Sequence, residues 1–388
     1  MAHSMNRRAW LKATSLLTGG LAVLPGQWNN LVAAPPASNL PYQSMNDFEF
    51  GEAVQPKLKA RLFANENPFG PSPKAKQAII QSLDTSYQYA MRGTQELTEK
   101  IAAFEAVKPE MLMLSAGSSA ILAAAAIYFS KDGGNIVTGD PTYDDLPDRA
   151  QQVKATWKKV ALTSEYKLDL DTMEKAVDAN TKLVYICNPN NPTATVADTQ
   201  KLKDFCERVS KKTTVFVDEA YIDYLPDPKG SSMIESVKQG QNVIVARTFS
   251  KLYGFAGLRV GYAILPTDLA TKLEPYSSGL WCMSGPAIQA ALASYQDREF
   301  LDGALKKTMA SKEFLYEVLK KESYTYIPSS TNFVMFPLNM PGERFVDEMM
   351  KRGVGLRHWE FNNKSWCRIS IGRMDEMQAF AEAFKEVS

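Results

Sequence analysis

The chain has 388 residues, 45% hydrophobic and 22% charged, which suits a soluble globular protein too long for one small core. Forty-four basic and 43 acidic side chains leave a net charge of +1, so neither a polyanion partner nor nucleic acid is implied. Only two histidines occur, His3 and His358, and no pair among Cys187, Cys206, Cys282 and Cys367 has metal-ligand or CxxC spacing, so a histidine-based triad or a metal centre has almost nothing to work with and a cofactor is favoured.

Residues 1–38 do not read as part of the fold. Residues 1–4 look like a tag remnant. Arg7 and Arg8 then precede Trp10, Leu11 and Lys12, a short apolar run follows over 13–24, and Ala33-Ala34 comes just before Pro35-Pro36. A positive start, a brief apolar stretch and a small-residue cleavage zone make a signal peptide, and the paired arginines resemble a Tat signal. The run is short for a membrane span. Export, with a periplasmic destination and no stable membrane association beyond it, is the expectation. Residues 39–75, rich in Pro and Asn, read as an arm that packs back on the body.

Within a large domain read over 76–279, short apolar runs alternate with helical patterns from residue 110 on. The runs are 111–114, 135–137, 182–187, 213–217, 242–246 and 259–265, and an Ala-rich helix is expected over 118–129. β-branched runs separated by helices imply a mostly parallel sheet in an α/β domain. The pattern changes after Glu274-Pro275. Residues 287–322 are strongly helical; then come a strand at 331–336, a helix near 342–351, a strand around 366–371 and a terminal helix. That reads as a smaller α+β domain spanning 280–388.

In an open parallel sheet, ligands sit beyond the carboxyl ends of the strands. Just past those ends stand Ser115-Ala116-Gly117-Ser118-Ser119, Pro141-Thr142-Tyr143, Asn188-Pro189-Asn190-Asn191, Asp218-Glu219-Ala220-Tyr221 and Arg247-Thr248-Phe249-Ser250-Lys251, with Arg259 eight residues on. These types match pyridoxal 5'-phosphate (PLP). A phosphate wants helix N-terminal N–H groups, hydroxyls and a cation, here Gly117, Ser118, Ser119, Thr248 and Arg259. Tyr143 offers a face for a flat ring. Asp218 suits a protonated ring nitrogen, because a nearby anion favours the charged form. Asn191 and Tyr221 suit the ring oxygen, and Lys251 the aldehyde. Arg368 lies in an apolar strand, where an unpaired cation is costly, so a bound anion is expected there.

The stretches Ala64-Asn65-Glu66-Asn67-Pro68-Phe69-Gly70-Pro71, Pro141-Thr142-Tyr143, Asn188-Pro189-Asn190-Asn191-Pro192-Thr193, Val217-Asp218-Glu219-Ala220-Tyr221, Thr248-Phe249-Ser250-Lys251-Leu252-Tyr253-Gly254 and Cys367-Arg368-Ile369-Ser370-Ile371-Gly372 fall in one order. In this the chain resembles fold type I PLP-dependent aminotransferases of class I/II, and among them the histidinol-phosphate aminotransferases. The resemblance covers roughly residues 45–388. It implies a large domain with a mostly parallel seven-stranded sheet between helices, a smaller α+β domain, and a homodimer. It implies that Lys251 carries PLP as a Schiff base and moves the proton, with Asp218 and Tyr221 completing the catalytic set. Arg368 would bind the substrate carboxylate, Arg357 a distal anionic group, Asn191 would stand beside the substrate, and Tyr89 would reach the neighbouring subunit's phosphate. The sequence departs from the family in two places. Tyr89 is followed by Ala90-Met91 where the family has Pro-Asp, and Ala194 stands where the family has glycine.

Transamination between an amino acid, or a histidinol-phosphate-like amine, and a 2-oxo acid such as 2-oxoglutarate is the leading expectation. The same scaffold supports racemases, lyases, decarboxylases and oxidases, and a PLP-binding sensor without turnover is a third reading.

Overall fold

Strands buried on both faces need apolar residues at successive positions, and the Thr181–Cys187 stretch provides them. Val184 and Ile186 enter one core layer, with Leu202, Phe205 and Val209. Leu183 and Tyr185 enter the opposite layer, with Ile121, Leu122, Leu146 and Leu269. The alternation is the period-two geometry of a strand covered by helices on both sides. The computed structural model describes residues 58–388. The tag remnant and Tat-like leader over 1–38, and the arm as far as residue 57, lie outside the described residues.

Strand β1 is Ala60–Arg61. The strands β2 (Leu112–Ser115), β3 (Asn135–Asp140), β4 (Thr156–Ala161), β5 (Thr181–Cys187), β6 (Thr214–Asp218), β7 (Val243–Thr248) and β8 (Gly261–Ile264) form one seven-stranded sheet. Its order is β2-β8-β7-β6-β5-β3-β4. β8 runs antiparallel to both neighbours, and the pairs from β7 through to β4 are parallel. β4 lies outside the apolar runs of the sequence. Its Lys158 and Lys159 break the apolar pattern, as suits an edge strand that must not pair with another chain.

The later part of the chain builds a second sheet from β9 (Phe333–Pro337), β11 (Arg357–Phe361) and β12 (Lys364–Ser370), in the order β11-β12-β9 and fully antiparallel. It packs with the helices Gly342–Lys351 and Met374–Val387 around Phe336, Phe345, Phe380 and Phe384. β10 (Val354–Gly355) pairs instead with β1 in parallel. Thus the segment just after residue 57 is bonded to the small sheet's side of the molecule. Among the described residues no helix is long and apolar enough to cross a membrane.

Candidate active site

The carboxyl ends of β2, β5, β6 and β7 meet on one rim, and register sets them side by side. Cys187 on β5 pairs with Asp218 on β6, and Asp218 pairs with Ala246 on β7. Ser115 on β2 and Thr248 on β7 both face Gly261 on β8.

One corner is built for an oxyanion. The helix Ser118–Ser130 begins there, and first-turn N–H groups have no partner within their helix. Gly117 caps it at φ 81, and a Cβ on Gly117 would run into the Arg259 guanidinium. Only glycine lets the cation come so close. A Cβ on Gly261 would likewise strike the Ser118 nitrogen, so the strand hugs the helix start. Arg259 Nη1 donates to Ser250 Oγ at 3.2 Å, and the Ser250 N–H donates to Thr248 Oγ1 at 3.1 Å. Ser118 is buried and Ser119 half-buried beside them.

Beyond this corner lies Asp218, 2% exposed. Its oxygens receive hydrogen bonds from Tyr185 Oη at 3.1 Å and the Ala220 N–H at 3.1 Å, both uncharged donors. Burial pushes the Asp218 carboxyl up to about 6, against those two donors and the attraction of Lys251. Tyr143 lies close enough for the charge of Asp218 to act on its phenol, whose pKa is raised chiefly by burial. The Tyr143 turn is tied to the asparagine turn, since Thr142 Oγ1 donates to Asn190 Oδ1 at 3.2 Å and Asn190 Nδ2 to the Pro141 carbonyl at 3.1 Å.

Lys251 occupies the middle. Its Nζ lies 5.3 Å from the centroid of the Tyr221 ring and donates to the Asn65 carbonyl at 3.3 Å. Burial lowers its pKa to about 8; Arg368 acts in the same direction, and Glu66 and Asp218 oppose it. An amine so poised is a nucleophile and a base near neutral pH. Tyr221 is buried, and burial raises its phenol pKa, so the hydroxyl keeps its proton.

Arg368, on β12, closes the far side at 2% exposed. Nη1 donates to Asn191 Oδ1 and Nη2 to the Phe63 carbonyl, both at 2.7 Å. Its Nε is buried with no hydrogen-bond partner. The guanidinium carbon lies 4.5 Å from the Trp359 ring centroid and 5.3 Å from that of Phe333. Burial, and then Arg357, push the Arg368 pKa down to about 9. A buried cation with neutral acceptors and an unused N–H can receive a carboxylate or a phosphate. Arg357 is its register partner on β11.

The fold therefore gathers Gly117, Ser118, Ser119, Tyr143, Asn191, Asp218, Tyr221, Thr248, Lys251, Arg259 and Arg368 on one rim, with Arg357 beside Arg368. Tyr89 stands apart, 74% exposed and edge-on to Trp281 with ring centroids 5.1 Å apart. Three contributors carried no assigned role in the sequence reading. They are Tyr185, a lone hydroxyl in an apolar strand, and Asn65 and Ser370, which lie inside quoted motifs.

The aminotransferase class I and II model matches residues 58–384. The chain belongs to that family. This aminotransferase is 34% identical over 336 residues to histidinol-phosphate aminotransferase 2 of Carboxydothermus hydrogenoformans, covering 84% of this chain and 90% of the relative. It is 32% identical over 346 residues to the histidinol-phosphate aminotransferase of Moorella thermoacetica, covering 87% and 88%. The structure of the Sinorhizobium meliloti histidinol-phosphate aminotransferase in complex with pyridoxal-5'-phosphate superposes with a TM-score of 0.81 at 25% identity, over 95% of this chain and 98% of that one. The chain is a fold type I, PLP-dependent transaminase. The residues present fit that cofactor. The Gly117–Arg259 corner has the N–H groups, hydroxyls and cation that suit a phosphate, and Asp218, a buried carboxyl bonded to neutral donors, suits a protonated ring nitrogen.

Proposed function

We propose that this aminotransferase exchanges the amino group of a free amino acid with a 2-oxo acid, both seated by their carboxylates on Arg368. The observation that carries the reading is the unpartnered Nε of buried Arg368, on the same rim as Lys251. Its two Nη groups are anchored to Asn191 and Phe63, so the free edge has a fixed direction. Arg357 beside it suits a second anionic group on the substrate. The relatives' name points to histidinol phosphate, whose phosphate is an alternative anion for the same pair. The leader over 5–38 favours a substrate met outside the cytoplasm.

PLP, when bound, supplies an aldehyde that takes up the amino group and a ring that accepts the electron pair released at the substrate Cα. The protein's residues do the rest. Lys251 Nζ would hold the cofactor's aldehyde, and as an amine with its pKa lowered to about 8 it would serve as the base for the proton at the substrate Cα. Asp218 keeps the ring nitrogen protonated. Tyr221 and Asn191 address the ring oxygen, Tyr143 covers the ring, and Gly117, Ser118, Ser119, Thr248 and Arg259 take the phosphate. Tyr89, in an exposed stretch with Ile80, Leu83 and Tyr87, supports a homodimer in which it reaches the partner subunit's phosphate site. Export through a Tat-type leader belongs to the same proposal; recovery of the protein only from the cytoplasm of its native host would count against it.

The test is the visible absorption of the purified protein beside a Lys251→Ala variant. A band that glutamate bleaches and 2-oxoglutarate restores supports the exchange; the variant should lack it. A donor panel including histidinol phosphate then separates the two anions. A band that no amino acid bleaches would refute the amino-acid reading.

A further inference from the structure

Asn65 lies 156 positions before Tyr221 and 305 before Ser370, yet it bonds to both. It is 2% exposed, with φ 55, a left-handed conformation that asparagine tolerates. Its carbonyl receives Lys251 Nζ at 3.3 Å and Asn332 Nδ2 at 3.0 Å.

The hydrogens in this cluster can be assigned by donor logic. The Asn65 N–H can only donate, and it points at Ser370 Oγ, 2.7 Å away. Ser370 oxygen is therefore an acceptor there, and its own hydrogen goes to Asn65 Oδ1 at 2.9 Å. That turns the other end of the amide toward Tyr221, and Nδ2 donates to Tyr221 Oη at 3.0 Å. Tyr221 oxygen accepts in that pair, so the phenol hydrogen is directed elsewhere.

We propose that Asn65 and Ser370 are positioning residues, a one-way hydrogen-bond relay that makes Tyr221 an acceptor toward the protein and hence a donor toward the ring oxygen of the cofactor. The inference rests on Tyr221 as the residue addressing that oxygen. Ser370 sits on β12 two residues after Arg368, so the strand that holds the substrate anion also sets the direction of the phenol hydrogen.

The experiment is a pH titration of the visible absorption of the cofactor-loaded protein. A donor on the ring oxygen favours its anionic form, so losing that donor raises the midpoint. Tyr221→Phe should raise it. Asn65→Asp should raise it by about one pH unit, because an ionised carboxylate only accepts and draws the phenol hydrogen to itself. Aspartate tolerates the same backbone. Asn65→Gly leaves Tyr221 able to donate and should shift the midpoint less than half as far, and Ser370→Ala, which frees the amide to turn over, should give a small rise. The Asn65→Asp/Tyr221→Phe double variant should match Tyr221→Phe alone. An additive shift in the double variant would mean direct repulsion by the new charge and would overturn the relay. So would an unshifted Asn65→Asp beside a shifted Tyr221→Phe. An unshifted Tyr221→Phe overturns the assignment of Tyr221 itself and the relay with it.

Discussion

Arg247, half-buried, and Arg368, buried, both stand in the carboxyl-terminal half of a strand, yet their surroundings differ in kind. Arg247 on β7 is held by Glu105 at 2.8 Å and Glu219 at 3.0 Å, with Glu219 in turn bonded to Ser232 and the Met233 N–H. Arg368 on β12 has an amide and a peptide carbonyl for acceptors and an Nε without a partner. The pKa of Arg247 is held well above its ordinary value, against the effect of burial, by Tyr262 and then by Glu219 and Glu105, whereas burial brings that of Arg368 down to about 9. A closed ion network fixes β6 and β7, and so the backbone on which Asp218 and Lys251 stand. The open one leaves a cation whose burial cost no carboxylate within hydrogen-bond reach offsets, the arrangement that an anionic ligand would complete.

The sharpest way to break this contrast is to remove each charge in turn. Arg247→Met leaves two buried carboxylates uncompensated and should cost about 3–5 kcal/mol of stability, read as a lower urea midpoint. Arg368→Met should leave that midpoint unchanged or higher, while kcat/KM for both the amino acid and the 2-oxo acid falls about 10²-fold. Equal destabilisation by the two substitutions would refute the division into scaffold and receptor.

Asp218 extends the contrast to an anion. Its pKa in the fold, about 6, lies above the ordinary 3.8. Its contribution to the stability of cofactor-free protein is therefore fully present below pH 3.8 and is lost as pH rises through about 6. Asp218→Asn should stabilise the cofactor-free protein by about 2–3 kcal/mol at pH 7, and the gain should vanish below pH 4. Loading with PLP should reverse the order of the two proteins in a melting experiment. Lys251 runs the other way: lowered to about 8 from 10.5, it adds stability only as pH rises across that window. The smallest effect belongs to Ala194, fully buried at φ 61 in the loop that carries Asn191. Ala194→Gly should relieve about 1 kcal/mol of left-handed strain without changing kcat/KM. A loss of activity there would mean that the strain itself holds Asn191 against Arg368.

Much of the rim was legible in the sequence because two signals coincide there: apolar runs of strand length and, just past each, residues that neither turn nor core requires. Arg368 was readable as a cation inside an apolar strand. What escaped detection lacked one signal or the other. β11 is five residues that mix charged and aromatic side chains, RHWEF, with no apolar run, yet it brings Arg357 beside Arg368 and Trp359 against its guanidinium. Tyr185 sits within an apolar run, and only the register of β5 with β6 brings its hydroxyl to Asp218. Asn65 acquires its partners only when three distant segments close on one another, and no local pattern encodes that.

The pairing of β1 with β10 has a mechanical side. Arg61 is paired with Gly355 of β10 on the small-sheet side of the molecule, and Asn65, four residues on, roofs the amine of Lys251. Four extended residues span at most about 14 Å. The segment is thus a short leash between the small-sheet side, which carries Arg368, and the buried amine of Lys251. A swing of the small sheet that outruns its slack must either unzip β1 or lift the roof, so the grip and the base cannot drift apart unnoticed by each other.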